Sequence, residues 1–379
     1  MRVAMISWEY PPQFSGGLGV HCQALVRELT SIGVLIELYL PAFKEIEFET
    51  TDGMVFHHVQ LSKPFTDSSY IGSGIWDSVL DFRNRLSEVF QPDGIELIHA
   101  HDWMGAFAAA EIAKKYDIPL IWTVHSTEYD RAAGKPHNPE IVHIEQDALL
   151  TASHTISVSQ RTKKTLIDHY QTNPEKITAI YNGIDISLFE QMANRNYHQT
   201  DGVILFLGRI TGQKAPDDFL KAAQLVLSER PNARFMLAGE GDLLNKLRLR
   251  ARRLKINDRV EFTGKVFGKK MLDCYQNAIM FVLPARSEPF GLTVLEAMAA
   301  GLPTIISSTT GVGEIIENVS VIEPNQPKQL AKAIIQLLDN AELRKELGEK
   351  GAAEAKKWSW EHVAAETRHL YEKVLNKLN

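Results

Sequence analysis

Two glutamates, Glu288 and Glu296, bracket the stretch SEPFGLTVLEAMAAGLP, which runs from Ser287 to Pro303. A carboxylate only accepts hydrogen bonds, so it pairs naturally with sugar hydroxyls or with the vicinal diol of a ribose. Glu288 stands just before a helix start marked by Pro289, and Glu296 lies one to two turns inside that helix. The backbone N–H groups of Phe290, Gly291, Leu292 and Thr293 then lack intrahelical partners and make an amide-lined anion site. Upstream, FLGRITGQKAPDDF carries Arg209 and Lys214 in a strand-to-helix loop. Such a pair suits a pyrophosphate, with arginine as a bidentate donor and lysine as a point charge.

The first half has its own polar strand ends. IHAHDW places His99, His101 and Asp102 after one strand, and WTVHSTEYDR places His125 after the next, followed by Glu128, Asp130 and Arg131. The H-x-H spacing with His125 is compatible with a metal. No cysteine or second ligand cluster accompanies it, so no metal is expected. In SGGLGVH, Gly16, Gly17 and Gly19 open a helix, where amides and the helix dipole favour a phosphate. This is not G-x-G-x-x-G, and no acidic residue ends the second strand at YLPA, so a dinucleotide site is disfavoured. Each feature alone has a plain reading, as a glycine turn, a core histidine or a solvated ion pair. Their recurrence at successive strand ends argues for function.

The elements that must position these residues alternate almost throughout. RVAMIS, VLIELYLP, ELIHA, PLIWTV, TISVS and ITAIYNG read as strands, with helical spacing between them, as in GVHCQALVRELTSIG with its closing Gly33. Such alternation implies parallel sheets covered on both faces. The stretch from Phe43 to Gly74 is less regular and reads as a hairpin or loop insertion. Apolar periodicity stops at EQMANRNYHQTDG, which marks a linker at 190–201, and a second α/β series follows from VILFLG to PTIIS. The chain ends in a long amphipathic helix, SWEHVAAETRHLYEKVLNKL, for which Ser359 suits the cap. Two doubly wound domains are expected, with ligands outside the carboxyl ends of their strands.

Composition narrows the class. At 379 residues the chain is long for a single core. A net charge of −6 argues against a nucleic-acid binder. The two cysteines, Cys22 and Cys274, lie far apart, which fits a reducing compartment without structural zinc. The polar start MRVAMISWEYPP reads as a strand rather than a signal peptide, and no apolar run approaches the roughly 18 residues of a membrane helix. A cytoplasmic protein, monomeric or homodimeric, is the expectation. The basic run KLRLRARRLK, Lys246 to Lys255, reads as a solvated helix face, with contact to an anionic lipid or acceptor as the alternative.

EPFGLTVLE, with GRITGQK upstream and PPQFSGGLG near the start, resembles retaining glycosyltransferases of the GT-B fold, family 4 type. TVHS, SVS, YNGIDISLF, GEGD, EFTGKV, GLPTI and WSWEHVA extend the resemblance nearly end to end. It implies an α/β fold of two Rossmann-like domains facing a central cleft. Residues 1–190 would take the acceptor, with 360–379 packing back on them, and 201–359 would bind a nucleotide-diphospho-sugar. Arg209 and Lys214 would hold the diphosphate with the Gly16 and Gly17 backbone, and Glu296 the ribose. Glu288 with the Pro289–Thr293 backbone would hold the sugar, and Lys265 and Val266 would lie near the base. His125 would sit at the reaction centre, with Asp102, His101 and Arg131 positioning sugar or acceptor.

The resemblance further implies transfer with retention and no dedicated base, and there is no D-x-D metal motif. Cations and amides would meet the charge on the departing diphosphate, usually the largest catalytic term. HAHDWM and WEYPPQFSGGLG are also similar to glycogen and starch synthases, but Phe14 stands where the bacterial ADP-glucose type has lysine. Ala215 replaces a glycine common in the family. A hexosyl transfer, glucosyl first, to a saccharide or other hydroxyl acceptor is the leading expectation. Alternatives are a glycogen-synthase-like or maltosyl-phosphate-forming glucosyltransferase, a nucleotide-sugar epimerase, and a silent sugar-binding partner.

Overall fold

The structure is a computed structural model that describes residues 1–13, 16–42, 52–62, 75–192, 195–199 and 202–377. Phe14, part of the Phe43–Gly74 stretch and part of the 190–201 stretch lie outside the described residues. The chain divides into two compact units. One comprises Met1–Arg131, Pro136–Asn182 and Trp360–Asn379; the other comprises Ala132–Lys135 and Gly183–Ser359.

In the first unit, strands β1 (Arg2–Ile6), β2 (Leu35–Ala42), β3 (Met54–Gln60), β4 (Leu97–His101), β5 (Leu120–Val124), β6 (His154–Ser157) and β7 (Ile177–Ala179) form one sheet. Among the described residues its order is β3-β2-β1-β4-β5-β6-β7, and every pairing is parallel. Its helices are α1 (Gly17–Ser31), α2 (Ile75–Val89), α3 (Asp102–Tyr116), α4 (Glu128–Ala132), α5 (Pro139–Thr151) and α6 (Gln160–Tyr170). Strands β4 and β5 are buried at every residue, as expected of strands covered by helices on both faces.

The second unit holds β8 (Val203–Leu207), β9 (Arg234–Ala238), β10 (Val260–Gly264), β11 (Ala278–Leu283), β12 (Thr304–Ser307) and β13 (Ser320–Ile322), in the order β10-β9-β8-β11-β12-β13 and again all parallel. Around them lie α7 (Pro216–Glu229), α8 (Leu244–Arg253), α9 (Gly268–Asn277), α10 (Leu292–Ala299), α11 (Pro327–Asp339) and α12 (Ala341–Ala355). The last helix, α13 (Trp360–Asn376), belongs to the first unit.

Two expectations need correction. The stretch from Phe43 to Gly74 is no hairpin where it is described: β3 runs parallel to β2. As an edge strand with His57, His58 and Gln60 along it, β3 lacks the continuous apolar run that announces a buried parallel strand. Pro289 does not open α10, which starts at Leu292 with Gly291 as its N-cap. Gly291 has φ +107, and an added Cβ would lie 3.2–3.4 Å from Thr310, Val294 and Glu288, so only glycine turns the chain there.

Each sheet reverses its strand order once. In the first, β1 neighbours β2 on one side and β4 on the other; in the second, β8 neighbours β9 and β11. Ligands of open α/β sheets bind outside strand ends at such switch points.

Candidate active site

The second unit gathers its charged groups at the β8/β11 switch point. Lys214 follows β8, and its stem runs beside Gly208, where an added Cβ would lie 3.9 Å from the lysine's Cδ. Its Nζ pairs with Oε2 of Glu288, which follows β11. Glu288 is held from both sides by the segment after β12: its N–H donates to Thr309 O at 3.1 Å and its carbonyl accepts from Gly311 N at 2.8 Å. Glu296 is half-buried on α10 and accepts from the Tyr275 hydroxyl at 2.6 Å. Burial raises the Glu296 carboxyl above its usual range, opposed by the Tyr275 bond and by the nearby charge of Lys214. Tyr275, wholly buried and beside a carboxylate, is pushed well above an ordinary phenol and stays a donor. Lys214, Glu288 and Glu296 therefore face one locus.

Around that locus stand groups with unused hydrogen-bonding capacity. The Oγ1 atoms of Thr211 and Thr293 are buried and have no hydrogen-bond partner among the described residues. No side chain caps α10 at Gly291, so the helix start presents amides and a partial positive charge beside Thr293. Phe290 is buried, its carbonyl accepting from Val312 N at 2.8 Å. Leu292 and Thr293 are half-buried in the first turn. Lys265 and Val266 follow β10, two strands from β8, with the Lys265 ammonium 4.6 Å from the Phe267 ring centroid.

Sequence reasoning missed what holds these loops together. Arg286 donates to Gly212 O at 2.8 Å, to both carboxylate oxygens of Asp217 at 2.9 and 3.0 Å, and to Asp218 at 2.7 Å. It staples the Lys214 loop to the Glu288 loop, reinforced by Arg286 N to Gln213 O at 2.8 Å. Arg209 is fixed through its neighbours: Gly208 N donates to Ala238 O and Ile210 N to Glu240 O. An added Cβ on Gly239 would fall 1.9 Å from Gly208 O, and one on Gly241 2.4 Å from Ile210 O. The two glycines of GEGD thus allow the β9 turn to lie against the Arg209 loop. Ala215 has φ +54, which accounts for a family preference for glycine at that position.

The first unit places imidazoles at its β1/β4 switch point. His101 ends β4, and its Nδ1 lies 3.1 Å from His125 Nε2 just past β5. His21, on α1, joins them, its ring 4.5 Å from that of His125. Its Nδ1 bonds the Asn182 side-chain oxygen at 2.9 Å. His99 faces elsewhere, pairing with Tyr371 Oη at 2.5 Å and Thr123 Oγ1 at 2.7 Å. Burial lowers every one of these rings: His21 to about 4, His99 to about 3, and His101 and His125 well below the usual value. They are neutral at neutral pH.

Asp102 opens α3 with φ +55, in the left-handed region that aspartate tolerates better than most side chains. Gly105 brings α3 against β1, since an added Cβ would fall 2.7 Å from Ile6 O. Arg131 donates to Glu128 at 3.1 Å, to Glu145 at 2.5 Å and to Ser126 O at 2.7 Å, with Asp102 3.8 Å away. Its guanidinium is engaged in orienting α4 and Asp102. Gly16 caps α1 without a side-chain bond, and Gly17 is its first residue. Glu9 Oε2 accepts from Gly19 N at 3.2 Å, so the helix start already carries one carboxylate. Neither His21 nor Asn182 stood out in the sequence; they meet only across the fold.

Comparison with known proteins identifies the class. The family described as glycosyl transferases group 1 matches residues 189–354, and Glycosyltransferase Family 4 matches residues 15–188. An uncharacterized glycosyltransferase of Methanocaldococcus jannaschii is 30% identical over 98% of both chains. The glycogen synthase of Mycobacterium tuberculosis is 28% identical over 98% of this chain and 94% of its own. Sucrose-phosphate synthase of Thermosynechococcus elongatus superposes with a TM-score of 0.82 at 19% identity, covering all of both chains. The chain belongs to the glycosyltransferases of the GT-B fold, family 4 type, and is a glycosyltransferase.

Proposed function

We propose that the protein transfers a hexosyl group, glucosyl first among candidates, from a nucleotide-diphospho-sugar to a hydroxyl acceptor, with retention at the anomeric carbon and without a resident metal. The observation that carries this reading is the convergence of Lys214, Glu288 and Glu296 on one locus at the β8/β11 switch point, beside the uncapped start of α10. Two carboxylates supply acceptors for a sugar and a ribose. The lysine, the α10 amides and the partnerless Thr211 and Thr293 hydroxyls supply donors for the phosphates between them. As the anomeric C–O bond breaks, negative charge grows on the diphosphate, where Lys214 and Arg209 meet it. Fixed donors of this kind need no reorganisation as charge develops.

In the first unit, neutral His125 is a hydrogen-bonding group suited to a sugar hydroxyl, and His101 orients it through their 3.1 Å contact. Asp102, braced by Arg131, positions the acceptor. The departing phosphate takes the acceptor's proton, so no side chain is assigned as base. The similarity to glycogen synthase favours a saccharide acceptor, and the protein acts in the cytoplasm. The test screens the purified protein with ADP-, UDP- and GDP-hexoses for thermal stabilisation. A true donor at a hundred times its Kd adds about 2.7 kcal/mol. Proton NMR of the product then reads the anomer. An inverted product overturns retention, and isomerised nucleotide sugar without transfer makes the protein an epimerase.

A further inference from the structure

We propose that His21, His101 and His125 together bind a divalent cation of borderline softness, Zn2+ above others, and that the bound ion switches the transferase off. One ring nitrogen from each lies within 4.8 Å of those of the other two. The His101 Nδ1 to His125 Nε2 separation is 3.1 Å, close to the ~3.3 Å between two nitrogens of a tetrahedral zinc site with Zn–N near 2.0–2.1 Å. The His21 nitrogen lies within 4.8 Å of both and closes on them as an ion binds.

Two further observations point to a ligand. His21 Nε2 is buried and has no hydrogen-bond partner among the described residues. Buried nitrogens of this kind are normally satisfied. The other nitrogen of His21 bonds the Asn182 side-chain oxygen at 2.9 Å. An amide oxygen accepts, so the ring proton sits on Nδ1 and Nε2 presents its lone pair. Metal-bound histidines are commonly oriented by such an outer acceptor. Three neutral imidazoles leave a fourth position for water, and His125, only half-buried, gives access from solvent. His99 is not part of the set, since both its nitrogens are engaged. Coordination of His125 removes it from the sugar, which is how the ion inhibits; that consequence rests on the role given to His125 above, whereas binding does not.

The experiment titrates chelator-stripped, full-length protein with Co2+ and then Zn2+. One equivalent of Co2+ should give the intense visible bands of a four-coordinate site, bleached by one equivalent of Zn2+. His21→Gln should abolish the bands, and Asn182→Ala should weaken binding by roughly 10–100-fold. Zn2+ at one equivalent should suppress transfer, and chelator should restore it. Absence of four-coordinate bands, or bands undiminished in both folded variants, overturns the site. If either variant fails to fold, as judged by circular dichroism, protection of His125, the half-buried member of the set, from diethyl pyrocarbonate by Zn2+ in the wild-type protein decides instead: no protection of His125 overturns the site. Binding without inhibition would remove His125 from the reaction centre while leaving the site standing.

Discussion

The two switch points of this molecule are built from opposite materials. In the second unit the strand ends carry full charges in contact, Lys214 with Glu288 and Arg286 with Asp217 and Asp218. In the first, imidazoles held neutral gather there, His101 and His125 after the strands and His21 from α1, while the nearby charges are matched among themselves around Arg131. Charge matched to charge suits a ligand whose own charge grows during reaction. Neutral groups suit a polyol, which needs direction rather than neutralisation. One architecture therefore provides two chemistries according to the residues placed after the strands.

The strongest way to break this contrast is to delete the charged half. Lys214→Ala or Glu288→Ala should lower the transfer rate roughly 10²–10³-fold in protein that still folds, with a lowered unfolding midpoint because each leaves one member of a largely buried ion pair unmatched. Turnover unchanged in both would end the assignment. Arg286→Ala should act mainly on stability. The Asp218 side chain is only 4% exposed and loses its guanidinium partner, at about 2–3 kcal/mol for this partly exposed network, readable by urea denaturation.

A subtler change sharpens the contrast. Tyr275→Phe removes one hydrogen bond to the Glu296 carboxylate and keeps the packing. A bond to a charged group contributes about 1.5–3 kcal/mol, so donor KM should rise about tenfold or more with kcat little altered. The same carboxylate sets a pH limit. Its titration lies above the usual range because burial disfavours the charged form. As pH falls through that raised range Glu296 takes up a proton and loses an acceptor. Nucleotide affinity should therefore weaken at higher pH than for an ordinary carboxylate, and in Tyr275→Phe at higher pH still. Calorimetric titrations across pH check this. The smallest effect is Ala215→Gly. Relief of a left-handed alanine outweighs the added freedom of the unfolded chain and should stabilise by about 0.5 kcal/mol in denaturant melts.

Much of the second unit's charged cluster was legible because its signals are local. Arg209, Lys214, Glu288 and Glu296 sit in short loops and one helix whose stop the chain announces at Gly301, φ +72, although its start lies three residues past Pro289. The alternation of apolar runs likewise announced two parallel sheets. What remained hidden depends on long-range closure. His21 and Asn182 lie 161 positions apart, and Tyr275 reads as an ordinary core aromatic. The need for Gly239 and Gly241 appears only once the β8 and β9 turns touch. Strand β3 was obscured by the polar pattern of an edge.

One connection has a practical outcome. Ile184 pairs with Ser359, and its N–H donates to Trp358 O at 3.0 Å. The run Gly183–Ser359 thus enters and leaves its own globule side by side, like a plug-in cartridge with adjacent terminals. Produced alone, this fragment should fold and still take up the nucleotide. Exchanging it between relatives should transplant the choice of base while the recipient keeps its own taste in acceptors.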